Sequence, residues 1–474
     1  MKRNFLKVVA TAATALFVGA TVAQAASVEW SGSLRPRFEV NERHDFNADT
    51  SADYFVSTQV RLNAKAEILP DTSAFIQLQS VRTWGSNQSG AASSNTNPAG
   101  SGNASFGTPD DRDASVGVHQ AYFTLKNFAT LPVDLQLGRQ EVILDGHRLF
   151  GNTVWTQGQQ SHDAVRVNHA HDNMTFSALY IRGNDGGNTV TADPHDIDVY
   201  VAYANIKGIL GGGLSLIYSV TDDECGTGAC TAGPTDNNIH TIGARQAGQL
   251  FGLDYRAEYY YQFGGAEADA AGVAGGYTTT GAGSGVDRSA YLLGVRVGKK
   301  FNNVMWKPGI TLWYDYKSGT SDEDARNGDF KSFNTLFDTG HKFYGLMDLF
   351  LASNGSDTNH LGLVDYAIKT SISPAKNWTL KSDWHYFTTA ESANANILVS
   401  GRAVANVYSD SKALGHEIDL TLVHKYNANT NISFGYSRFM KDPLLALTAN
   451  GLGTAGNGPS NSANWAYLQF DVRF

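Results

Sequence analysis

The chain has 474 residues, 17% of them charged, with 49 glycines, two cysteines and a formal net charge of -9. That acidic balance offers nucleic acid no basic face. Beyond the N-terminus, no segment has the long uninterrupted apolar run that a membrane helix requires.

The first element is "MKRNFLKVVATAATALFVGATVAQAA". Lys2, Arg3 and Lys7 precede an apolar run, and Ala23-Gln24-Ala25 forms an A-x-A cleavage signal. This reads as a secretory signal peptide over residues 1–25, its apolar run being short for a spanning helix. Discounting its three bases leaves residues 26–474 with a net charge of -12.

Those residues alternate. "YFVSTQVRLNAKAEIL" sets Val56, Thr58, Val60, Leu62, Ala64, Ala66 and Ile68 against Gln59, Arg61, Asn63, Lys65 and Glu67. "LDYRAEYYYQF" sets Leu253, Tyr255, Ala257, Tyr259, Tyr261 and Phe263 against Asp254, Arg256, Glu258, Tyr260 and Gln262. "GHEIDLTLVHK" sets Ile418, Leu420 and Leu422 against Glu417, Asp419 and Thr421. Period two over such lengths predicts β-strands with one apolar face. About eighteen are predicted, starting near 28, 53, 73, 115, 132, 161, 173, 196, 212, 238, 250, 287, 304, 360, 376, 413, 429 and 463. Short connections ("LPDTS", "HAHDN", "SPAKN", "KYNANT") alternate with long ones (85–114, 144–160, 184–195, 264–286, 318–359, 389–412, 440–462).

Export, alternation and sorted loops together predict an all-β transmembrane antiparallel β-barrel. It would be a single domain over 26–474, with short periplasmic turns and long extracellular loops. Its outer face meets outer-membrane lipid and lipopolysaccharide, and its lumen holds water. Within the long connections, Cys225 and Cys230 in "DECGTGACTAG" suit a loop disulfide in an oxidising compartment. The segment 318–359 contains the aromatic "FNTLFDTGHKFYGLMDLF" and is predicted to fold into the pore mouth, burying Phe333, Phe337, Phe343 and Tyr344. The last strand, "NWAYLQFDVRF", places Ala466, Leu468, Phe470, Val472 and Phe474 toward lipid, with Phe474 and Tyr467 expected at the periplasmic interface. Its terminal Phe resembles the C-terminal signal of Gram-negative outer-membrane proteins, which implies recognition by the outer-membrane assembly machinery.

Projected inward, the alternation gives the bases Arg35, Arg37, Arg61, Lys65, Arg166, Arg245, Arg256, Arg296, Lys300, Lys381 and Arg473. The acids are Glu29, Glu39, Glu67, Asp254, Glu258, Asp315, Asp383, Glu417, Asp419 and Asp471. Cross-strand pairing accounts for any one of them as well as a pore role does. His169 and His171 fall in a short turn, "GHEIDL" lacks the second histidine of a zinc motif, and Asp145, His147 and Asp163 have no nucleophile in a defined relation to them. No enzyme activity, metal or cofactor is therefore expected.

Three stretches resemble the alginate-export family of outer-membrane barrels. They are "LGRQEVILDGHRLFGNTVWTQGQQSHDAVRV" (137–167), "FNTLFDTGHKFYGLMDLF" (333–350) and "LGHEIDLTLVHKYNANTNISFGYSRF" (414–439). The resemblance implies eighteen strands and a conduit for an anionic polysaccharide, with Arg139 of "GRQ" at a position lining the pore. The expected lining set is then Arg35, Arg37, Arg61, Arg139, Arg166, Arg256, Arg296, Lys381 and Arg473, with Glu258, Asp383, Glu417 and Asp419 interspersed. Arginine suits such a pore, since guanidinium meets a uronate carboxylate with two parallel hydrogen bonds and does not titrate. Conduction needs several weak holds rather than one deep one. The function expected is passage of alginate-like anionic polysaccharide or oligosaccharide; the alternative is a general or small-solute diffusion porin.

Overall fold

The computed structural model describes residues 27–42, 46, 51–84, 116–184, 197–223, 237–266, 286–358, 360–392, 398–399, 402–403, 411–442 and 460–474. Its strands are β1 (Ser27–Glu42), β2 (Asp53–Leu69), β3 (Thr72–Thr83), β4 (Gly117–Leu125), β5 (Asp134–Gln140), β6 (His162–His171) and β7 (Met174–Asn184). They continue as β8 (Ile197–Ile209), β9 (Gly212–Asp223), β10 (Asn237–Leu250), β11 (Leu253–Ala266), β12 (Val286–Lys300) and β13 (Gly309–Lys317). After a two-residue β14 (Asp329–Phe330) come β15 (Leu363–Ile372), β16 (Trp378–Thr388) and the small hairpin β17 (Leu398–Val399) and β18 (Arg402–Ala403). The chain closes with β19 (Ala413–Lys425), β20 (Thr430–Lys441) and β21 (Ser462–Arg473).

Setting aside β14 and the β17–β18 hairpin, eighteen strands pair antiparallel in chain order. β13 reaches β15, β16 reaches β19, and β21 pairs back onto β1. Closure leaves no sheet edge, so every ladder N–H and C=O finds a partner without water, as a structure in hydrocarbon requires. β14 runs parallel to β12 outside that ring order. Among the described residues no helix is long and apolar enough to cross a membrane.

The alternation is realised residue by residue. In β11 Glu258, Tyr260 and Gln262 are buried while Tyr259 and Phe263 are exposed on the outer face. Tight turns close the short-turn end. Leu210–Gly211 and Phe251–Gly252 hold both central residues at positive φ, the two-residue geometry whose twist matches the strands. β13 begins at Gly309, later than the alternation placed it, because Phe301–Pro308 forms a turn closed by the Phe301 N–H on the Pro308 carbonyl. Exposed Trp30, Phe251, Trp306, Tyr426 and Phe474 ring the short-turn end, and Tyr54, Trp84, Tyr200 and Tyr366 the other.

Tyr467 corrects one expectation. It is buried on the lumen face, in phase with Trp465 and Gln469, while Phe474 alone of that pair is exposed. Alternation from Ala466 and Leu468 dictates this, and the ring lies over Gly435 of β20, where any Cβ would overlap it. A second local device is the bulge in β4. The pairing with β3 slips between Gln77 and Leu78, and the extra residue, His119, is fully buried inside the barrel.

Candidate functional site

Two of the long connections turn inward and fill much of the lumen. The first, residues 141–161, is irregular, so its carbonyls need donors wherever they are buried. The inner wall supplies them. Arg35 donates from Nη1 to the Val154 carbonyl (2.8 Å), from Nη2 to that of Thr156 (2.7 Å) and from Nε to Gln157 Oε1 (2.9 Å). Arg37 donates from Nη1 to the Trp155 carbonyl (2.8 Å) and lies over the Trp155 ring at 4.0 Å. Gln79 donates to the Gly158 carbonyl (2.7 Å), and Gln59 to that of Gln157. Arg37 is further held by Glu39, Nε to Oε1 at 2.7 Å. Arg35 and Arg37 thus face the lumen as the alternation requires, but their donors are committed to a loop.

The second inward segment, residues 318–362, starts with a short helix α1 (Asp322–Asn327) capped reciprocally by Ser321 and Asp324. The aromatic stretch behaves as its composition predicted: Phe333, Phe337, Phe343 and Tyr344 are 1%, 6%, 0% and 1% exposed. Glu417 of β19 seats this loop by accepting the amides of Leu346 (2.6 Å) and Met347 (2.9 Å) on Oε1. The two loops meet at a parallel bridge between Phe150 and Phe337. There the Phe337 N–H bonds the Leu149 carbonyl (2.9 Å) and the Gly151 N–H bonds the Phe337 carbonyl (2.8 Å).

Arg148 ties both loops to the wall. It donates to Glu258 Oε1 from Nε (3.0 Å) and Nη2 (2.8 Å), to Asp315 Oδ2 from Nη2 (2.7 Å) and to the Tyr344 hydroxyl from Nη1 (2.9 Å). Its guanidinium sits 3.8 Å from the Phe343 ring centroid. Burial opposes the charge, but the Asp315 and Glu258 carboxylates prevail and hold the guanidinium pKa well above its ordinary value. Arg148 carries no periodic signal, because it lies off the strands.

Around this tie the wall is basic. Arg256 of β11 and Arg296 of β12 are register partners, a like-charge pairing that normally destabilises a ladder. Here Arg296 lies 2.8 Å over the Trp313 ring centroid and 3.5 Å from Asp315, and Arg256 lies 3.8 Å from Glu258. Arg245 of β10 stands 3.6 Å from Asp145 and 3.8 Å from Glu258. Gly146 permits their approach to the first loop, since a Cβ there would meet Arg256 Nη1 at 2.9 Å. From the second loop comes Lys342, which is solvent-exposed. Partial burial and the neighbouring Arg256, Arg245 and Arg148 charges hold its pKa below the usual lysine range.

Across the lumen Arg166 of β6 donates to Asn168 Oδ1 (2.9 Å), and Arg61 of β2 to Gln79 Oε1 (2.7 Å). Glu141 accepts from Asn152 (2.8 Å), lies 3.0 Å from His119 and is 3.5 Å from Arg61. The β15–β19 wall is more acidic. Asp383 pairs with Lys369 (2.9 Å), Asp365 with the buried His385 (2.9 Å), and Glu417 and Asp419 are buried beside them.

Of the expected lining set, Arg61, Arg166, Arg256 and Arg296 therefore stand with Glu258 and Asp383 on the inner wall. Lys381 is exposed beyond this cluster, and Arg473 pairs with Asp471 (3.1 Å) at the short-turn end. Arg139 departs from expectation. It is the register partner of Ala121 and Asp163, on the face that carries the exposed Leu137 and Phe123, so it points outward. Its guanidinium bonds Asp163 Oδ2 at 3.0 Å. The alternation of Leu135, Leu137 and Arg139 would have given that side. Cys225, Cys230 and the leader 1–25 lie outside the described residues. Lys369 and the Asp365–His385 pair were not foreseen, and among the described residues no group of acids, histidines and cysteines is arranged to hold a metal ion.

Solved structures share this barrel. OccAB1 of Acinetobacter baumannii aligns with TM-score 0.55 at 11% identity, covering 94% of this chain and 96% of that one. OccK8 (OprE) of Pseudomonas aeruginosa gives 0.51 at 11%, with 94% and 98% covered. A BenF-like porin of Pseudomonas fluorescens Pf-5 gives 0.51 at 10%, again with 94% and 98% covered. Such identities establish the fold alone. No curated protein matches the chain. The sequence model of the family described as alginate export matches residues 27–441, nearly the whole barrel, and the chain belongs to that family.

Proposed function

We propose that the chain is an outer-membrane channel whose lumen passes anionic saccharides, uronate-containing oligomers or polymers of the alginate type. One observation carries this reading: Arg245 and Arg256 project from the wall near the solvent-exposed Lys342, where the two inward loops meet. Low-dielectric walls focus such a field, whereas loop acids beyond the rim are screened within about 8–10 Å at physiological salt. Wall acids at 3.5–3.8 Å from Arg245, Arg256 and Arg296 temper each guanidinium, which favours repeated weak holds over one trap.

A second reading, a channel for small carboxylate solutes, is favoured by the aromatic core that both loops bury inside the lumen and by the narrowing this imposes. Planar-bilayer recordings separate the two. Oligouronates longer than a disaccharide should reduce the current from the side they are added, and Arg256→Ala or Lys342→Ala should weaken the block severalfold. Block by monomeric carboxylates with no response to oligomers would favour the small-solute channel. Indifference to both would remove the anionic reading.

A further inference from the structure

Among the described residues Pro36 is the one proline inside a strand; Pro70, Pro132, Pro308 and Pro374 all stand in connections. A proline lacks the N–H that a ladder partner's carbonyl needs, so the neighbour it faces decides which bond is lost. At the seam between β1 and β21, Gly32 and Phe474 exchange both backbone bonds, at 2.8 and 3.1 Å. Hydrogen-bonded pairs of an antiparallel ladder recur at every second residue. Counting along the seam, the next are Leu34 with Val472, Pro36 with Phe470 and Phe38 with Leu468. Pro36 therefore turns its nitrogen toward β21 and has no hydrogen for the Phe470 carbonyl. The ladders agree. Pairing with β2 runs unbroken from Ser27 to Asn41, whereas pairing with β21 stops after Leu34–Val472 and resumes in the same register at Arg37–Gln469.

In the closed barrel this omission is a cost. Leu34, Phe38, Leu468 and Phe470 around it are exposed on the lipid face, where no water replaces a missing donor. Before closure the same omission is protective. Glu42 of β1 and Asn464 of β21 are 422 residues apart in sequence, so this seam closes the longest loop and forms last. Until then β1 is an edge strand, and its β21-facing side is a row of free N–H and C=O groups that templates pairing with another chain. Proline within a sheet belongs on such an edge.

We propose that Pro36 guards the open β1 edge during assembly, against pairing with the β1 edge of a second copy of this chain. β21 contains no proline, so native closure loses one donor. Antiparallel pairing of two β1 edges brings two prolines onto one ladder and loses two. The sequence makes that pairing a hazard. Centred on Phe38, it sets Arg37 of each copy against Glu39 of the other, an attractive arrangement on one face. Each Pro36 then stands opposite Val40 of the other copy, and these two missing bonds oppose the pairing.

The test refolds the full chain from urea into detergent micelles over a range of protein concentrations, with the folded fraction read from its faster migration in unheated gels. Wild-type yield should stay level. Pro36→Val should match it at the lowest concentration and fall at least about threefold at the highest, with dimers and larger species resistant to the gel detergent. Barrels of that variant formed at the lowest concentration should melt at or above the wild-type midpoint, because the Phe470 carbonyl gains a donor. Pro374→Val, in a short turn, should refold like wild type; a similar loss there would assign the effect to slow proline isomerisation and overturn the guard. Identical concentration dependence in wild type and Pro36→Val also overturns it, as does a lowered melting midpoint, which would place the role of Pro36 in the closed barrel. A loss of yield independent of concentration overturns the second copy as the partner. Should Pro36→Val form no barrel at any concentration, Pro36→Ala, which restores the N–H with a small side chain, decides by the same comparison.

Discussion

Replacing Arg148 with methionine keeps much of the volume and removes the charge on which both inward loops converge. Two carboxylates, Glu258 and Asp315, each with side chains no more than 1% exposed, would lose the short guanidinium hydrogen bonds that Arg148 gives them, keeping only Arg245, Arg256 and Arg296 at 3.5–3.8 Å among the described residues. Removing one partner of a buried ion pair costs about 3–5 kcal/mol, chiefly because the remaining charge stays desolvated. The barrel itself should survive, since its ladder hydrogen bonds do not involve Arg148; the loss falls on loop docking. At about 1.4 kcal/mol per decade, the population of undocked loops should rise roughly a hundredfold to several thousandfold. Amide exchange reads this directly, through the Gly151 and Phe337 N–H groups that join the loops, with the β11–β12 ladder as internal reference. Adding Glu258→Gln and Asp315→Asn should not restore full protection, because Arg245, Arg256 and Arg296 then lose the carboxylates that face them at 3.5–3.8 Å. Loop amides in Arg148→Met that exchange within about threefold of wild type would refute the reasoning.

Glu417→Ala should loosen the second loop, since the Leu346 and Met347 amides lose their acceptor at about 1–3 kcal/mol each; protease cleavage within 333–350 should accelerate, whereas Glu417→Gln, which keeps an acceptor oxygen, should change it little. Burial pushes the Asp338 carboxyl up to about 7 against the pull of Lys317 and Arg148. Its folded value lies above the unfolded one, so its contribution is complete below the ordinary aspartate range and is lost as pH rises through about 7. Loop exchange, corrected for intrinsic rates, should therefore loosen over that interval in wild type relative to Asp338→Asn; His147, whose pKa burial lowers, titrates alike in both and cancels. Parallel profiles for the two proteins would dismiss this. Gly435→Ala should displace the Tyr467 ring, which stacks edge-on against Trp155 at 4.8 Å, and lower the thermal midpoint; a midpoint equal to wild type would show that the ring moves freely.

Much of the barrel was legible because period two survives wherever one face meets lipid and the other water. The start of β19 at Ala413 and the inward side of Glu258 both follow from it. Alternation states which way a side chain points but not what it meets. Arg35 and Arg37 were placed correctly and misread as solute-facing, because nothing in a strand pattern announces that residues 141–161 return into the lumen. Arg148 was invisible for the same reason, and Glu258 and Asp315, read only as inward-facing acids, are its sockets. The burial of Phe333, Phe337, Phe343 and Tyr344 was legible, since so aromatic a loop has a large area to hide from water. Arg139 went wrong by the opposite route: a resemblance was followed where counting from Leu137 gave the outward side.

The central claim is that bases on the lumen wall, rather than the chain's net charge of -9, govern what passes. The most direct measurement is the reversal potential of the wild-type channel in a planar bilayer across a salt gradient. A field from Arg166, Arg245, Arg256 and Lys342 predicts anion preference, reduced in Arg256→Ala and in Lys342→Ala. Cation preference in the wild type would contradict the account.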